Sequence, residues 1–527
     1  MEPSGTNLFW LCILVLIITL LLISRRRSKK TINLPPSPTR LPFIGHLHHI
    51  LFSIPQIAFH RLSLRYGPLI FLQLGTLPAI VISSAEILRE VLRTHDVIFS
   101  NKPVMTATLK LSYGGKDMAA SQYNDPWRQM KKVTMLGFLS MRRIMLGKSI
   151  RVAEISTVLE TITRHIPDDR HSKSSSTKGF NFSEMMNELT NQIVCRIAFG
   201  IKNDKKHYQN SRLYKLLRES QRLMGGFFVG DYFPWLKWVH VLTGQRRRLE
   251  NNFKELDEYY TKFISHHIDD LNSLDNQIND VDYDLLHTVL QLRDGSGEAN
   301  IFNDMEYVKG LMTDIFIGGT DALASTLDWT MSELLRHPTS MAKVQHEVRT
   351  VVGGIRNKLV EETDLPKLRY LKQVIKETLR LRPPAPLIIR SSISSACKFF
   401  DYDIPPTTRI YINVQSIGLN PNQWEDPNEF RPERFVGDEA TGYKVGVDFD
   451  VLTFGMGRRS CPAINFSMVV LELTLANLFC FFDWRLPDGM EADDLDMEKT
   501  IGFTVNRNVP LWLVPLPPSL TDELVTD

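Results

Sequence analysis

Cysteine is scarce. The chain has 5 in 527 residues, an odd number spread along its whole length. No C-x-x-C pair or Cys/His cluster occurs, which excludes a disulfide framework and a zinc site and fits a reducing compartment. Charge of one sign is lacking too. Lys and Arg number 62 against 59 Asp and Glu, a net +3, so the electrostatic footprint of a nucleic-acid binder is missing. Internal repeats are not evident, and no long flexible linker divides the body. Polar stretches at 172–178 and 294–300 read as surface loops. With 43% hydrophobic and 23% charged residues the composition is that of a globular protein, which excludes disorder, collagen and a polytopic membrane protein.

What is present begins at the N-terminus. Residues 8–23 are almost continuously apolar, LFWLCILVLIITLLLI. As a helix this run spans about 24 Å, short for a plasma membrane and adequate for the thinner endoplasmic reticulum. Arg25, Arg26, Arg27, Lys29 and Lys30 follow at once, and only Glu2 is charged before the run. A cleaved signal peptide would carry its charge in front and a small-residue cleavage site behind. The order found here predicts a single-pass anchor over 1–24 with the rest of the chain cytosolic. Leu34-Pro35-Pro36-Ser37-Pro38 and Leu41-Pro42 then make 25–45 a basic, Pro-rich, stiff hinge. His46, His48 and His49 match no metal pattern and are expected on the surface beside it. Residues 46–527 read as one catalytic domain.

Helical periodicity predicts long helices over 125–152, 182–199, 211–223, 245–271, 305–336, 339–352, 368–381 and 463–482. Short strands are expected at 69–74, 79–83, 409–414 and 511–514. The fold class is therefore mainly α with minor β sheets.

The chemistry sits in Phe454-Gly455-Met456-Gly457-Arg458-Arg459-Ser460-Cys461-Pro462-Ala463. Two glycines permit a tight loop. Two arginines and the start of a helix opened by Pro462 favour a thiolate at Cys461. Two readings stand at this point: an axial ligand to haem iron, with propionates near the arginines, or a buried structural cysteine at a turn.

This segment resembles the haem-binding loop of the cytochrome P450 family, Phe-x-x-Gly-x-Arg-x-Cys-x-Gly. Four further family signatures follow in order. Trp127-Arg128-Gln129-Met130-Lys131 is similar to the propionate motif Trp-x-x-x-Arg, and Gly318-Gly319-Thr320-Asp321 to the oxygen-activating part of the long central helix. Lys376-Glu377-Thr378-Leu379-Arg380 is similar to the Glu-x-x-Arg helix, and Phe430-Arg431-Pro432-Glu433-Arg434-Phe435 to the segment that completes its ion network. The resemblance covers about residues 30–515; the anchor, hinge and Gly230-Asp231-Tyr232-Phe233-Pro234-Trp235 resemble plant A-type microsomal members of specialised metabolism.

The resemblance implies a haem-thiolate P450 fold behind one N-terminal transmembrane helix, in the endoplasmic reticulum membrane. It implies haem b, with Cys461 as metal ligand and Trp127, Lys131, Arg390, Phe454 and Arg459 as cofactor-binding residues. Glu377, Arg380 and Arg434 would form a structural ion network, and Asp321 and Thr320 would be catalytic. The reaction would be monooxygenation of a small hydrophobic plant metabolite by dioxygen. Electrons would come from NADPH through NADPH–cytochrome P450 reductase, docking near Lys131, Lys132 and Arg458. The pocket would be lined from 105–118, 224–228, 314–322, 385–389 and 502–504.

Departures from the family pattern qualify this. Ala322 and Leu323 follow Asp321 where the family has hydroxyl residues, so the alcohol that would hold water over dioxygen is missing. Thr320 lies about 200° round the helix from position 322. Ser325 lies further along the axis. The change fits either a monooxygenase with an altered proton path or a haem-thiolate rearrangement, dehydration or coupling; a non-catalytic haem-binding scaffold is a third reading. Lys131 replaces arginine and loses the bidentate fork. Ala463 replaces glycine, and Arg382 replaces histidine. Arg390-Ser391 stands where the family has Pro-Arg, so the propionate arginine is either shifted by one place or lost.

Overall fold

The computed structural model describes residues 33–167, 179–200, 212–273, 284–295, 300–353, 358–391, 397–437, 452–500 and 502–518. The apolar run at 8–23, its basic flank and the polar stretch at 172–178 lie outside the described residues.

The main helices in chain order are α1 (Ala85–His95), α2 (Asp125–Gly137), α3 (Met141–Leu146), α4 (Lys148–Thr163), α5 (Phe182–Phe199) and α6 (Arg212–Met224). They continue as α7 (Gln245–Ser273), α8 (Leu285–Gly295), α9 (Met305–Arg336), α10 (Pro338–Val351), α11 (Arg369–Leu381) and α12 (Ile464–Phe481). The strands are β1 (Leu69–Leu74), β2 (Leu77–Ile82), β3 (Phe180–Asn181), β4 (Leu387–Ser391), β5 (Cys397–Phe399), β6 (Tyr402–Ile404), β7 (Arg409–Asn413), β8 (Asp483–Arg485) and β9 (Trp512–Leu516). The larger sheet runs β1-β2-β7-β4; β2 and β7 pair parallel and the other neighbours antiparallel. A second sheet runs β3-β9-β8, and β5-β6 is a two-stranded pair.

The body is organised round α9. Asp304 caps it by accepting from the Glu306 N–H, and Pro338 marks its end by keeping His337 out of helical geometry. Its 32 residues make a rod of about 48 Å. Apolar faces of α5, α11 and α12 close round it in one core, where the Phe199 and Phe316 rings stack at 4.5 Å. α12 is the one helix among the described residues long and apolar enough to cross a membrane, and 72% of it is buried in this core.

The mainly helical class is as the sequence predicts. The single helix expected over 125–152 is instead α2, α3 and α4. Ser140 breaks it by accepting from the Arg143 N–H to cap α3, and the chain turns again at Gly147. His46 is buried rather than exposed. Its Nδ1 accepts from the Gln73 N–H at 2.7 Å and its Nε2 faces the Pro38 carbonyl at 2.9 Å. The hinge is likewise no free spacer within its described part. Phe71 N donates to Pro36 O at 2.9 Å, Asp403 N to Asn33 O at 2.6 Å, and Gly45 bridges Leu74.

Candidate active site

The loop before α12 is closed by one short bond, Cys461 N donating to Phe454 O at 2.7 Å. Gly457 has φ +66°, and a side chain there would put its Cβ 2.5 Å from Asp96 Oδ1, so only glycine fits. The helix begins at Ile464 rather than at Pro462. The Cys461 thiol is buried with the Ala463 N–H turned toward it, and burial pushes its pKa up. The flanking arginines do not activate it as expected. Arg459 donates to the backbone carbonyls of Ser100, Met118 and Ser121 and covers the Trp127 ring at 4.4 Å. Arg458 pairs with Asp96 and the Tyr123 hydroxyl.

Trp127 and Lys131 ride on α2, capped by Asn124. Trp127 Nε1 donates to Met118 O at 3.0 Å, and Lys131 Nζ to Arg458 O at 2.8 Å. Arg390 is the buried residue of β4: despite its shifted place it turns inward, donating to Met456 O at 2.5 Å and facing Asp96 at 3.5 Å. Its Nε is buried without an acceptor. Lys102, which no sequence motif marked, completes the group. Burial first, then the charges of Arg390 and Arg459, push its pKa down to about 7. Burial, with Arg390 beside it, also lowers Arg459 to about 10.

Two acids from the expected pocket segments, Asp117 and Asp314, face this group. Asp117 accepts from Ala120 N at 2.9 Å, and Asp314 on α9 from Met118 N at 2.5 Å. Burial raises Asp117 to about 7 and holds Asp314 well above the carboxylate range, Asp117 adding to the latter. Asp117 shapes the 116–121 loop from within and Asp314 fastens it onto α9, whose Gly310 makes the approach possible: a Cβ there would lie 2.1 Å from Lys116 O.

Beneath the loop, Arg380 makes a fork to Glu377 at 2.6 and 2.7 Å, both side chains being 0% exposed. Glu377 also accepts from Arg434 Nε at 3.2 Å and from the Arg431 backbone N–H at 2.8 Å. Arg380 reaches the carbonyls of Gly418, Pro427 and Glu429. Such complete pairing is what a buried ion pair needs to offset desolvation. Thr453 Oγ1 donates to Leu379 O at 2.9 Å and ties the network's helix to the cysteine loop.

On α9 the residues Asp314, Gly318 and Ala322 lie on one face, four apart; Gly318 is exposed and Asp314 and Ala322 are half-buried, whereas Ile315, Phe316, Ile317 and Leu323 are buried. A methyl group at Gly318 would meet nothing within 4 Å, so the helix faces open space at that position. The Thr320 hydroxyl is turned away into its own helix, donating to Phe316 O at 2.6 Å. Burial raises the Asp321 carboxyl, which accepts from Asn506 Nδ2 at 3.4 Å.

The model of the family described as cytochrome P450 matches residues 35–512. The chain belongs to the cytochrome P450 family. Curated relatives include "Cytochrome P450 71A9" of Glycine max, 41% identical over 96% of this chain and 98% of that protein. Also similar are "Strychnine-11-hydroxylase" of Strychnos nux-vomica, 37% identical over 97% of each chain, and "Desmethyl-deoxy-podophyllotoxin synthase" of Sinopodophyllum hexandrum, 38% identical over 95% of each. A solved zebra fish cytochrome P450 carrying progesterone superposes with TM-score 0.71, covering 88% of this chain and 99% of that one at 21% identity, which speaks to the fold. This P450 is a plant A-type member and an oxidoreductase of the monooxygenase kind.

Family membership implies haem iron with thiolate ligation. The residues present fit that group. Lys102, Lys131, Arg390 and Arg459 crowd together, with the Arg390 Nε buried and unpartnered. Two propionate carboxylates would supply acceptors and relieve the repulsion. A coordinated metal ion deprotonates a thiol outright, which answers the burial that raises Cys461.

Proposed function

We propose that this P450 is a membrane-anchored haem-thiolate monooxygenase acting on a small hydrophobic plant metabolite. Its electrons would come from NADPH through NADPH–cytochrome P450 reductase at the endoplasmic reticulum. The balanced reaction is RH + O2 + NADPH + H+ → ROH + H2O + NADP+. The observation that carries it is Cys461, held in a loop closed on Phe454 with the half-buried cation Lys131 beside it. Haem, when bound, supplies the activation of dioxygen. Cys461 would be its thiolate ligand, and Trp127, Lys131, Arg390, Arg459 and Lys102 would hold its propionates. Phe454 packs beside the ring, while Glu377, Arg380 and Arg434 keep the cysteine loop rigid. Asp321, its carboxyl raised by burial, keeps a proton closer to neutral pH than an ordinary aspartate and can release it toward the cavity. The relative named for hydroxylation of strychnine is in keeping with this reaction on a specialised metabolite.

The membrane reading has support in the body itself. Phe43, Phe52, Trp235, Trp238 and Leu242 are exposed, Phe52 by 92%. They belong to segments 41–52 and 227–242, which pack together through Ile44, Ile50, Phe233 and Leu236 against β1 and β2. Aromatic and aliphatic side chains in such a collar suit a bilayer interface.

One observation favours a second reading: Ala322 on the cavity face of α9 offers no hydroxyl. A rearrangement, dehydration or coupling at the same haem would tolerate that. The test is product formed per NADPH consumed, with purified reductase and a metabolite panel. Oxygen insertion coupled to NADPH supports the monooxygenase; product without dioxygen uptake supports the second reading. On generic substrates lacking a hydroxyl, Ala322→Thr is expected to raise the product-to-NADPH ratio and lower peroxide release. An unchanged ratio would show that a hydroxyl at residue 322 does not limit proton delivery.

The reductase partner gives a separate expectation. Lys132, Arg458 and Arg142 are exposed on the face that carries α2 and the cysteine loop. Attraction between such a face and an acidic partner weakens as salt rises. The rate of reduction by the reductase should therefore fall between 50 and 500 mM salt, by about tenfold. A rate indifferent to salt would argue against charge-steered docking.

A further inference from the structure

The hydroxyl missing at position 322 is not replaced from within α9. Thr320 donates to Phe316 O, Ser325 to Val505 O at 3.0 Å, and Thr326 to Ala322 O at 2.8 Å. Each hydroxyl near Asp321 on its own helix is thus committed to a backbone carbonyl. A different segment comes to meet the carboxyl. Residues 502–508 reach it with Thr504, whose hydroxyl steadies its ionised form, and with Asn506.

That segment is held from several sides. Val505 N donates to Pro384 O at 2.9 Å, while Val505 O accepts from Ser325 Oγ and from Trp329 Nε1 at 3.2 Å. Asn506 is locked by exchange with Thr500, N to Oγ1 at 3.1 Å and Thr500 N to Asn506 O at 2.9 Å. At its tip Gly502 lies against Gly225 beyond α6, so close that a Cβ on Gly225 would fall 2.9 Å from the Gly502 carbonyl carbon. Thr504 is buried between these fixed points.

We propose that Thr504 is a positioning residue of the monooxygenase reaction, supplying from the C-terminal segment the hydroxyl that residue 322 lacks and holding the Asp321 carboxyl, with Asn506, as the proton-releasing group of the cavity. The inference rests on the haem-thiolate reading above. Asp321 gives up one proton at its carboxyl oxygen and regains one from solvent; no electrons move in this step. The other groups facing it are Arg218 and Tyr214 of α6, with Glu184 of α5 acting on Tyr214. Arg218 and the Thr504 and Asn506 side chains favour the ionised form, and burial outweighs them.

The sign of the pH effect follows. Asp321 is raised in the folded protein, so its contribution to stability is complete below its unfolded value and is lost as pH rises through its folded value. Removing a hydroxyl that steadies the carboxylate raises the folded value further. Thr504→Val should therefore lower the thermal midpoint more at pH 8 than at pH 4.5, and Thr504→Ser should not. A role in packing alone would lower it equally at both.

The second measurement is turnover with purified reductase, NADPH and no organic substrate. There dioxygen leaves either as peroxide (NADPH + H+ + O2 → NADP+ + H2O2) or as water (2 NADPH + 2 H+ + O2 → 2 NADP+ + 2 H2O). Losing a positioned proton-transfer group costs about 10²–10⁴-fold, and Thr504→Val, which leaves Asp321 in place, should raise peroxide per NADPH by at least about threefold. Thr504→Ser should restore the ratio, and Ala322→Thr added to Thr504→Val should recover most of it. Thr504→Ala serves if the valine variant does not fold. A pH-independent loss of thermal midpoint, or an unmoved peroxide ratio, overturns the proposal. Absence of the thiolate band in the reduced carbon-monoxide complex of the wild-type protein would instead overturn the reading on which it rests.

Discussion

Cys461→Ala abolishes the thiolate-type band of the reduced carbon-monoxide complex while leaving the body folded. The loop does not depend on the sulfur for its shape. Cys461 contributes its backbone N–H to Phe454 O, and Arg458 and Thr453 hold the flanks through Asp96 and Leu379. Replacing a small buried side chain by alanine costs about 1 kcal/mol, well within the stability of a domain this size. Circular dichroism and thermal unfolding of the haem-free variant should therefore match the haem-free wild type within a few degrees. Haem content after purification and the carbon-monoxide spectrum should differ completely. A normal thiolate spectrum from Cys461→Ala would remove the ligand assignment.

Arg380→Ala and Glu377→Ala should fail in the opposite way, by losing the fold. Each leaves a buried charge without its partner, a defect that costs about 3–5 kcal/mol. For Arg380 the loss is compounded, since the carbonyls of Gly418, Pro427 and Glu429 lose their donor as well. Against a total stability of about 5–15 kcal/mol, either change should collapse the yield of soluble folded protein. The neighbouring Arg431 is the control. Its side chain pairs at the surface with Glu425, Asp426 and Glu429, so Arg431→Ala should cost about 0–1 kcal/mol. Urea titrations of the three variants should separate cleanly, and equal losses would contradict the burial argument.

The sequence made parts of this legible because the signals were local. The α9 rod, the Glu377–Arg380 spacing on one helix face and the glycine loop before Cys461 each sit within a few residues. The rest was set by distant packing. Whether Arg459 faces the thiol or the 100–121 segment depends on Met118 and Ser121, more than 330 positions away. Helix geometry already turned Thr320 about 200° from position 322; that its hydroxyl is committed to Phe316 O shows only in the folded helix. Lys102 and Asp117 belong to no motif; their burial against Arg390 and Asp314 comes only when the loop closes on Gly310. Arg390 shows a converse limit. A shift of one place on a strand reverses its face, yet β4 pairs so that Arg390 itself points inward.

The bonds made by Asn33, Pro36 and Gly45 alter where the folded unit begins. Composition places the boundary after residue 45, because the prolines there look like a spacer. Hydrogen bonds to Phe71, Asp403 and Leu74 make residues 33–45 a strap laid over the sheet. A force applied through the N-terminal segment would thus reach the β1–β2 edge directly, with no slack to absorb it. The tilt at which the body meets its support is then set by the sheet, as a bracket sets the angle of a shelf. Shortened forms should start at Asn33: cutting at residue 46 would strip the edge of β1 and free His46 from Pro38.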